Sequence, residues 1–378
     1  MSLLKRKKIL FITPTFFPHT FFGGSIFSSY KMCIDLTKEY EVTVLTTNQQ
    51  NKYLSPYQNI ERKYKDIKVN FCAEELTGLF SISFFKYIFQ NKKKYDLFYI
   101  NDFFSLYGLI SIMLGSFFKK KTILAPRGSF STYTINRSKT VFKNLFIKLL
   151  IIISKNNSLL DFHATSNLEK LEILNLKFNN KVHVIPNLFD IDKYLKIQNY
   201  FKNRNIPKNK IVISYFGRVD PKKYFKLFIN LSKYFNKQNY DEDYEFRIAG
   251  ANTFYSSNEL RDILSKSNCK FFGELNQKKK FKFIYDSDML FFLSENENFG
   301  NSAFEFLIFN KPILVLNNNL WSNYDDNNIL VAKSKNLEYL TQLIIDFFSK
   351  NKSYKTSSYL LNLFKSENRI VDYKKFSE

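Results

Sequence analysis

Short apolar runs alternate with longer segments of helical period along the whole chain. The first run is KILFIT at 8–13, which is followed by a helical segment over about 24–40 and by the run EVTVLT at 41–46. Short runs of β-branched and aromatic residues are typical of buried strands, and helical segments between them are typical of βαβ units. The pattern predicts parallel sheets with helices on both faces.

The same alternation continues in two series separated by a polar stretch. Further strands of the first series are predicted at IKVNFC (67–72), DLFYIN (96–101), TILA (122–125), LDFHAT (160–165) and VHVIP (182–186). Those of the second series are predicted at IVISYFG (211–217), YEFRIAG (244–250), CKFFGE (269–274), DMLFFLS (288–294), PILVL (312–316) and NILVA (328–332).

Two doubly wound α/β domains follow from these series, and a length of 378 residues suits two such cores. We predict a first domain over 1–186, a linker over 187–209, a second domain over 210–350 and a helical C-terminal tail over 351–378. In such sheets ligands bind at the carboxyl ends of the strands, so the strand-to-helix loops should carry the chemistry.

The chain is strongly basic, with 57 Lys and Arg against 34 Asp and Glu. Part of this excess reflects a general bias toward Lys, Asn, Phe and Tyr. Residues 103–160, however, contain no acidic residue, and SKTVFKNLFIKLLIII at 138–153 is both basic and apolar. This segment suits an anionic membrane surface, where each Lys or Arg adds about 1 kcal/mol, or else a core helix with a basic rim. No nucleic-acid motif is present, so we expect no nucleic-acid partner.

Other features concern the compartment. The three cysteines are far apart and form no CxxC pair, and the three histidines have no metal-ligand spacing. The apolar stretch before Pro14 is too short for a signal-peptide core, and FFSLYGLISIMLGSFF at 103–118 is better explained as a buried helix than as a membrane span. We expect a cytoplasmic protein that is peripheral at the inner face of the cell membrane.

Two predicted strand-to-helix loops carry residues suited to anions. Gly23 and Gly24 precede the first helix, where adjacent glycines let a backbone approach an anion closely, although they also serve tight turns. GRVDPKK at 217–223 places Arg218 directly after a strand and Lys223 at the start of the next helix. A guanidinium and an ammonium group near a helix N-terminus suit a diphosphate.

A third loop, SENENFGNSAFEF at 294–306, brackets a Phe-Gly pair with Glu297 and Glu305. Ser302 and Glu305 have the spacing of a capping box, which would by itself explain Glu305 but not Glu297. Carboxylates beside a helix N-terminus can accept hydrogen bonds from sugar hydroxyls while the N–H groups of the turn bind phosphate. Together these loops indicate a nucleotide-sugar site.

These segments resemble the family 4 glycosyltransferases, retaining enzymes whose GT-B fold has two Rossmann-like domains facing across a cleft. The resemblance covers about residues 8–350. It is carried by the Gly23-Gly24 loop, SFSTY after APRG, HATSNLE, VIPNLFD, GRVDPKK and SENENFGNSAFEF.

The resemblance implies a role for each matching residue. Arg218 and Lys223 would neutralise the donor diphosphate. Glu297, the first Glu of an E-x7-E motif, would contact the transferred sugar, and Glu305, the second, would hold the ribose hydroxyls. The remaining matches are a glycine that lets the first domain approach the donor and a turn whose backbone binds sugar and phosphate, namely Gly24, Phe299, Gly300 and Asn301.

The chain departs from the family pattern at two positions that matter here. Tyr224 stands where glycine is usual, and Arg127 stands where many relatives have a histidine near the reaction centre. We expect Arg127 to contact the acceptor or a phosphate.

The function implied by the resemblance is a hexosyltransferase that uses a UDP- or GDP-sugar and needs no metal. Its acceptor would be a hydroxyl of a surface glycan or glycolipid, as in lipopolysaccharide or capsule biosynthesis. The alternative is a peripheral membrane or glycan-binding protein that keeps the fold without catalysis.

Overall fold

The structure is a computed structural model that describes residues 6–19, 24–50, 53–54, 56–76, 80–137, 140–203, 209–294, 297–350 and 354–377. The chain divides into two compact units, one formed by Met1–Phe189 with Phe364–Glu378 and the other by Asp190–Leu363. The first unit is therefore discontinuous in sequence.

The first unit is built on one eight-stranded sheet in the order β10-β9-β8-β7-β1-β2-β6-β5. All neighbours pair in parallel except β5, which runs antiparallel to β6 at the edge. A small antiparallel pair, β3 with β4, stands apart from the sheet. The strands are β1 (Lys8–Ile12), β2 (Glu41–Thr47), β3 (Gln49–Gln50), β4 (Tyr53–Leu54), β5 (Ile60–Tyr64), β6 (Ile67–Cys72), β7 (Leu97–Asn101), β8 (Lys121–Ala125), β9 (Leu160–Ala164) and β10 (Val182–Val184).

Apart from the edge strand β5, the sheet is buried on both faces, and its inner strands are apolar at successive positions. In β1, Leu10 and Ile12 belong to the core on one face, whereas Ile9 and Phe11 belong to the core on the other. The helices are α1 (Gly24–Leu36), α2 (Ile82–Asn91), α3 (Leu106–Phe117), α4 (Thr132–Arg137), α5 (Thr140–Lys155) and α6 (Asn167–Asn175). The first core contains residues of α2, α3, α5 and α6, and the second contains residues of α1.

The second unit has a six-stranded parallel sheet in the order β13-β12-β11-β14-β15-β16. This is the doubly wound order, in which the chain reverses direction across the sheet between β11 and β14. The strands are β11 (Ile211–Phe216), β12 (Tyr244–Ala249), β13 (Cys269–Phe271), β14 (Met289–Phe291), β15 (Ile313–Leu316) and β16 (Ile329–Ala332). Every strand predicted from the sequence in either unit is confirmed.

The helices of the second unit begin with one inside the predicted linker. They are α7 (Ile191–Lys202), α8 (Phe225–Lys237), α9 (Ser257–Ser265), α10 (Gln277–Asp286), α11 (Asn301–Ile308), α12 (Leu337–Lys350) and α13 (Ser358–Leu363). Helix α7 packs against α10 and α11. Asp190 caps it, since its carboxylate accepts a hydrogen bond from the N–H of Lys193.

The end of the chain returns to the first unit. Helix α14 (Ser366–Arg369) and a 3₁₀ helix over Ile370–Ser377 pack there, with Tyr373 and Phe376 fully buried in the core beside α1. The predicted tail over 351–378 thus contains α13, which belongs to the second unit, and the two short helices that pack in the first unit.

Candidate functional site

The loops after β11 and β14 carry three of the predicted site residues. Strands β11 and β14 are neighbours at the point where the strand order reverses, which is where open α/β sheets bind ligands. Arg218 and Lys223 follow β11, and Glu297 follows β14.

The loop after β11 depends on close backbone packing. At Gly217 φ is +152°, and a Cβ there would lie 3.1 Å from Lys223 Nζ. At Gly250 φ is +147°, and a Cβ would lie 1.8 Å from Gly217 O. Both positions favour glycine, and the second allows no side chain at all without moving this loop.

A short 3₁₀ helix over Pro221–Lys223 places the lysines. Asp220 caps it by accepting a hydrogen bond from the N–H of Lys222 at 2.9 Å. Tyr224 then takes a left-handed conformation with φ of +51°, which explains why the family pattern has glycine here. Its hydroxyl accepts a hydrogen bond from Lys335 Nζ at 2.7 Å.

Lys223 and Glu297 form an ion pair between the two loops. Lys223 Nζ lies 3.0 Å from Glu297 Oε1, and the two side chains are 20% and 16% exposed. That oxygen is buried and accepts no hydrogen bond of good geometry from the described residues, although the ammonium group is close. The two side chains are therefore held together by charge, and Oε1 of Glu297 can still accept a hydrogen bond from a ligand.

Positive charge is concentrated around this carboxylate. Burial lowers the pKa of Lys222, and the charges of Lys223 and Arg218 lower it further, whereas Glu297 acts in the opposite direction. Arg218 itself is exposed. In the described part of the two loops, Arg218, Lys222 and Lys223 stand against Asp220 and Glu297, and this cluster of cations suits a polyanionic ligand.

The turn before α11 is fixed by a buried tryptophan. Trp321 Nε1 donates a hydrogen bond to Phe299 O at 2.8 Å, and both side chains are buried. Gly300 is the N-cap of α11 with φ of +76°, and a Cβ there would lie 2.5 Å from Phe292 Cζ. Asn301 is the first residue of the helix.

The capping-box interpretation of Ser302 and Glu305 is wrong. The helix begins one residue before Ser302, and its N-cap, Gly300, makes no side-chain capping hydrogen bond. Glu305 is occupied elsewhere: its Oε1 accepts hydrogen bonds from Lys280 Nζ at 2.6 Å and from the Tyr194 hydroxyl at 2.8 Å.

Glu305 thus belongs to a buried polar cluster with partners that the sequence did not indicate. Burial raises the pKa of Tyr194 well above its usual range, and the charge of Glu305 raises it further. Tyr194 lies in the predicted linker, and Lys280 is one of four lysines in QKKKFK, so no local signal selected either residue.

In the first unit, Gly24 begins α1, whereas Gly23 lies outside the described residues. Arg127 follows β8 with φ of +53° and turns inward. Its guanidinium donates hydrogen bonds to Asn101 Oδ1 at 2.9 Å, to the Tyr99 hydroxyl at 3.1 Å and to Asn187 Oδ1 at 3.4 Å. These contacts show a residue that ties together the carboxyl ends of neighbouring strands.

A histidine and a glutamate complete this network. The Tyr99 hydroxyl donates to His163 Nδ1 at 2.5 Å, and His163 Nε2 donates to Ile185 O at 2.7 Å. Burial, together with the charge of Arg127, lowers the pKa of His163 well below its usual range, so the ring is neutral. Glu169 accepts from the N–H of Gly128 at 2.8 Å and fixes the turn that follows Arg127.

Within the described residues, no group of three or more His, Cys, Asp or Glu side chains could hold a metal ion.

Most of the second unit matches a glycosyltransferase family model. Residues 196–359 match the family model described as "Glycosyl transferases group 1", a match that covers less than half of the chain. The predicted enzyme class is therefore confirmed for this part of the protein. A curated relative, the "Uncharacterized 41.2 kDa protein in cps region" of Klebsiella pneumoniae, is 25% identical over 175 residues, which are 46% of this chain and 44% of that protein. The matched segment spans less than half of that relative.

Two solved structures resemble nearly the whole chain. HepE from Anabaena, determined in complex with UDP, has a TM-score of 0.69 at 16% identity, covering 98% of this chain and 100% of that structure. WaaG, described as a glycosyltransferase involved in lipopolysaccharide biosynthesis, has a TM-score of 0.61 at 10% identity, covering 98% and 94%. These likenesses, with the two doubly wound sheets, show that the predicted GT-B fold is correct.

Proposed function

We propose that the protein is a retaining glycosyltransferase of family 4. It transfers a hexosyl unit from a nucleoside diphosphate sugar to a hydroxyl of a surface glycan or glycolipid. The observation that carries this proposal is the Lys223–Glu297 pair, held between two loops at the switch point of a sheet that lies inside the matched glycosyltransferase domain.

The charges of this site suit a diphosphate leaving group. A donor diphosphate carries two or more negative charges, so it competes with Glu297 for Lys223. Arg218, which is exposed on the same loop, adds a second cation. Negative charge grows on the diphosphate as the glycosidic bond breaks, and fixed cations stabilise that charge without a metal ion.

Glu297, once released from Lys223, is available to the transferred sugar and to the positive charge that develops on it. The turn at Phe299, Gly300 and Asn301 offers backbone N–H groups at the start of α11 to the sugar or phosphate. Glu305 is assigned to the ribose hydroxyls, with Lys280 and Tyr194 as the side chains that hold its carboxylate in place.

The names of the similar proteins support the proposed donor and acceptor. The complex of HepE with UDP supports a uridine nucleotide as the donor base. The cps-region relative and WaaG support an acceptor in capsule or lipopolysaccharide biosynthesis. Such acceptors are assembled on membrane lipids, which supports the proposal that the enzyme works at the inner face of the cell membrane.

Donor binding is tested by thermal stabilisation with a panel of UDP- and GDP-sugars. A ligand at 100 times its dissociation constant adds about 2.7 kcal/mol to the free energy of unfolding. We expect stabilisation of the wild type and its loss in Lys223→Met. Lys233→Met, an exposed residue of α8, is the matched control and should behave as wild type. A wild type that binds no nucleotide sugar would refute the proposal.

The role of Glu297 is tested by transfer or hydrolysis of the donor found in that panel. Glu297→Gln should keep donor binding, because it leaves Lys223 free for the diphosphate, but should lose about 100-fold or more in kcat. Glu242→Gln, in an exposed turn of the same unit, is the control. Binding of glycans by the wild type without any turnover would instead favour the non-catalytic alternative.

A further inference from the structure

Helix α5 is apolar on the face that it turns to solvent. A surface helix normally buries its apolar stripe and exposes polar residues. Here Ile147 and Leu150 are buried in the core, yet the opposite face is apolar too. Its exposed side chains are Val141 (81% exposed), Phe142 (66%), Leu145 (50%), Leu149 (37%) and Ile152 (61%).

Two neighbouring helices extend this apolar surface. Helix α3 packs against α5, and α2 packs against α3. The buried helix predicted within 103–118 is buried along one side only, because Met113 and Phe117 of α3 are 51% and 77% exposed. Ile82 and Phe89 of α2 are 59% and 55% exposed. We call the outward side of α2, α3 and α5 the three-helix face.

The charged side chains on the three helices are all positive. None of the three helices contains an Asp or Glu residue. Glu75, which precedes α2 and accepts a hydrogen bond from the N–H of Ile82, lies at its edge. Exposed lysines lie on or beside the helices, at Lys86, Lys93, Lys119, Lys148 and Lys155.

The composition of the chain does not by itself produce such a face. Helix α8 comes from the same Lys-, Asn- and Phe-rich sequence, and it exposes only polar side chains. These are Lys226, Asn230, Lys233, Asn236 and Lys237, while its phenylalanines, Phe225, Phe228 and Phe235, are buried. The bias thus gives an ordinary amphipathic helix in the second unit and an outward apolar surface in the first.

We propose that the three-helix face docks on an anionic lipid bilayer. Its helices would lie in the plane of the interface, with the aromatic and aliphatic side chains among the acyl chains and the lysines at the anionic headgroups. No helix in the described part of the chain is long and apolar enough to cross a membrane. Helices that carry lysines and no acidic residue beside large apolar side chains fit anionic lipid headgroups better than a second copy of themselves, because two such surfaces repel each other. The inference rests on the proposed function, which gives the reason for membrane docking, but its test does not require glycosyltransferase activity.

The test is flotation of the full-length protein with vesicles that contain phosphatidylglycerol or only phosphatidylcholine. The charge variant is Lys148→Glu with Lys155→Glu. Lys143 is unsuitable because its Nζ donates to Thr134 O, and Lys139 lies outside the described residues. The matched control is Lys233→Glu with Lys237→Glu on α8, which changes the net charge equally.

We expect wild type and control to float with the phosphatidylglycerol vesicles and neither to float with phosphatidylcholine alone. At about 1 kcal/mol for each lysine, the loss of the two lysines alone should weaken partitioning of the charge variant about 30-fold, and the added carboxylates should weaken it further. A second variant, Phe142→Ser with Ile152→Ser, should also lose flotation while its circular dichroism and donor binding stay unchanged.

Equal flotation of the charge variant and its control would overturn the proposal. The proposal would also be overturned if the wild type were a dimer and the variant Phe142→Ser with Ile152→Ser were a monomer, because the three-helix face would then be a protein interface. A protein that binds nucleotide sugar but no vesicles would refute the docking surface and leave the proposed function standing. A protein that binds vesicles but no nucleotide sugar would support the docking surface and refute the proposed function.

Discussion

The buried pair of Lys280 and Glu305 gives a sharp test of how the second unit holds its carboxylates. The substitution Lys280→Met keeps most of the aliphatic stem and removes the ammonium group. Glu305 then stays in a site where its side chain is only 10% exposed, with one hydrogen-bond donor, Tyr194, in place of two. The expected result is a loss of stability from an uncompensated charge.

The magnitude follows from the burial of the pair. Removing one partner of a fully buried ion pair costs about 3–5 kcal/mol. Lys280 is 21% exposed and Tyr194 still donates at 2.8 Å, so we expect a smaller loss of about 2 kcal/mol. The control is Lys282→Met on the same helix, whose pair with Asp286 is 63% and 26% exposed. An exposed helical pair of this kind contributes about 0.3–0.5 kcal/mol.

The protein contains a natural reporter for this measurement. Trp321 is its single tryptophan, is fully buried in the second unit and stacks on Phe304, the residue before Glu305. Tryptophan fluorescence in urea therefore reports the unfolding of the second unit separately from that of the first. With a slope of about 2 kcal/mol per molar urea, Lys280→Met should lower the midpoint by about 1 M.

Equal midpoints for Lys280→Met and Lys282→Met would refute the reasoning, because the buried pair would then be worth no more than an exposed one. The double variant Lys280→Met with Glu305→Gln separates charge from packing. It should recover much of the stability lost in Lys280→Met, since no buried charge then remains unpaired.

Two further predictions concern His163 and Gly250. Because the pKa of His163 is lowered on folding, the unfolded chain takes up a proton below about pH 6.5 that the folded chain does not. As the pH is lowered below that value, the free energy of unfolding should decrease by up to about 1.4 kcal/mol per pH unit. In thermal melts followed by circular dichroism, His163→Gln should show a smaller decrease. Gly250→Ala should cost about 3 kcal/mol or more in urea titrations, since its Cβ would lie 1.8 Å from Gly217 O. Gly273→Ala, with φ of +64° and nothing within 4 Å, should cost only about 1 kcal/mol. Similar losses for both glycines would contradict the packing argument.

The sheets and the loops of the site could be predicted because both depend on local sequence. A buried parallel strand is an apolar run, and in a doubly wound sheet its carboxyl end is where ligand residues lie. The apolar runs at 211–217 and 288–294 therefore suffice to place Arg218, Lys223 and Glu297 in strand-to-helix loops. The contact between Lys223 and Glu297 then needed only that β11 and β14 be neighbours, as they are.

The features that escaped prediction depend on contacts between distant positions. Tyr194 reaches Glu305 across 111 residues, and nothing near either residue indicates the other. The capping box failed for a different reason, since the spacing of Ser302 and Glu305 is correct but the left-handed Gly300 starts the helix one residue earlier. The hydrogen bonds of Arg127 to Asn101 and Tyr99 were not predicted either, because only the fold brings those polar atoms to its guanidinium.

The discontinuous first unit has a consequence for how the chain folds during synthesis. Tyr373 and Phe376 complete a core that also contains Cys33 and Tyr99. Between Phe189 and Phe364 the ribosome makes the whole second unit, which takes about 10–35 s at 5–20 residues per second. Throughout that interval the nascent first unit lacks Tyr373 and Phe376, two large side chains of its core. The second unit, by contrast, leaves the ribosome as one continuous segment and can close first, so the N-terminal unit is the last to finish.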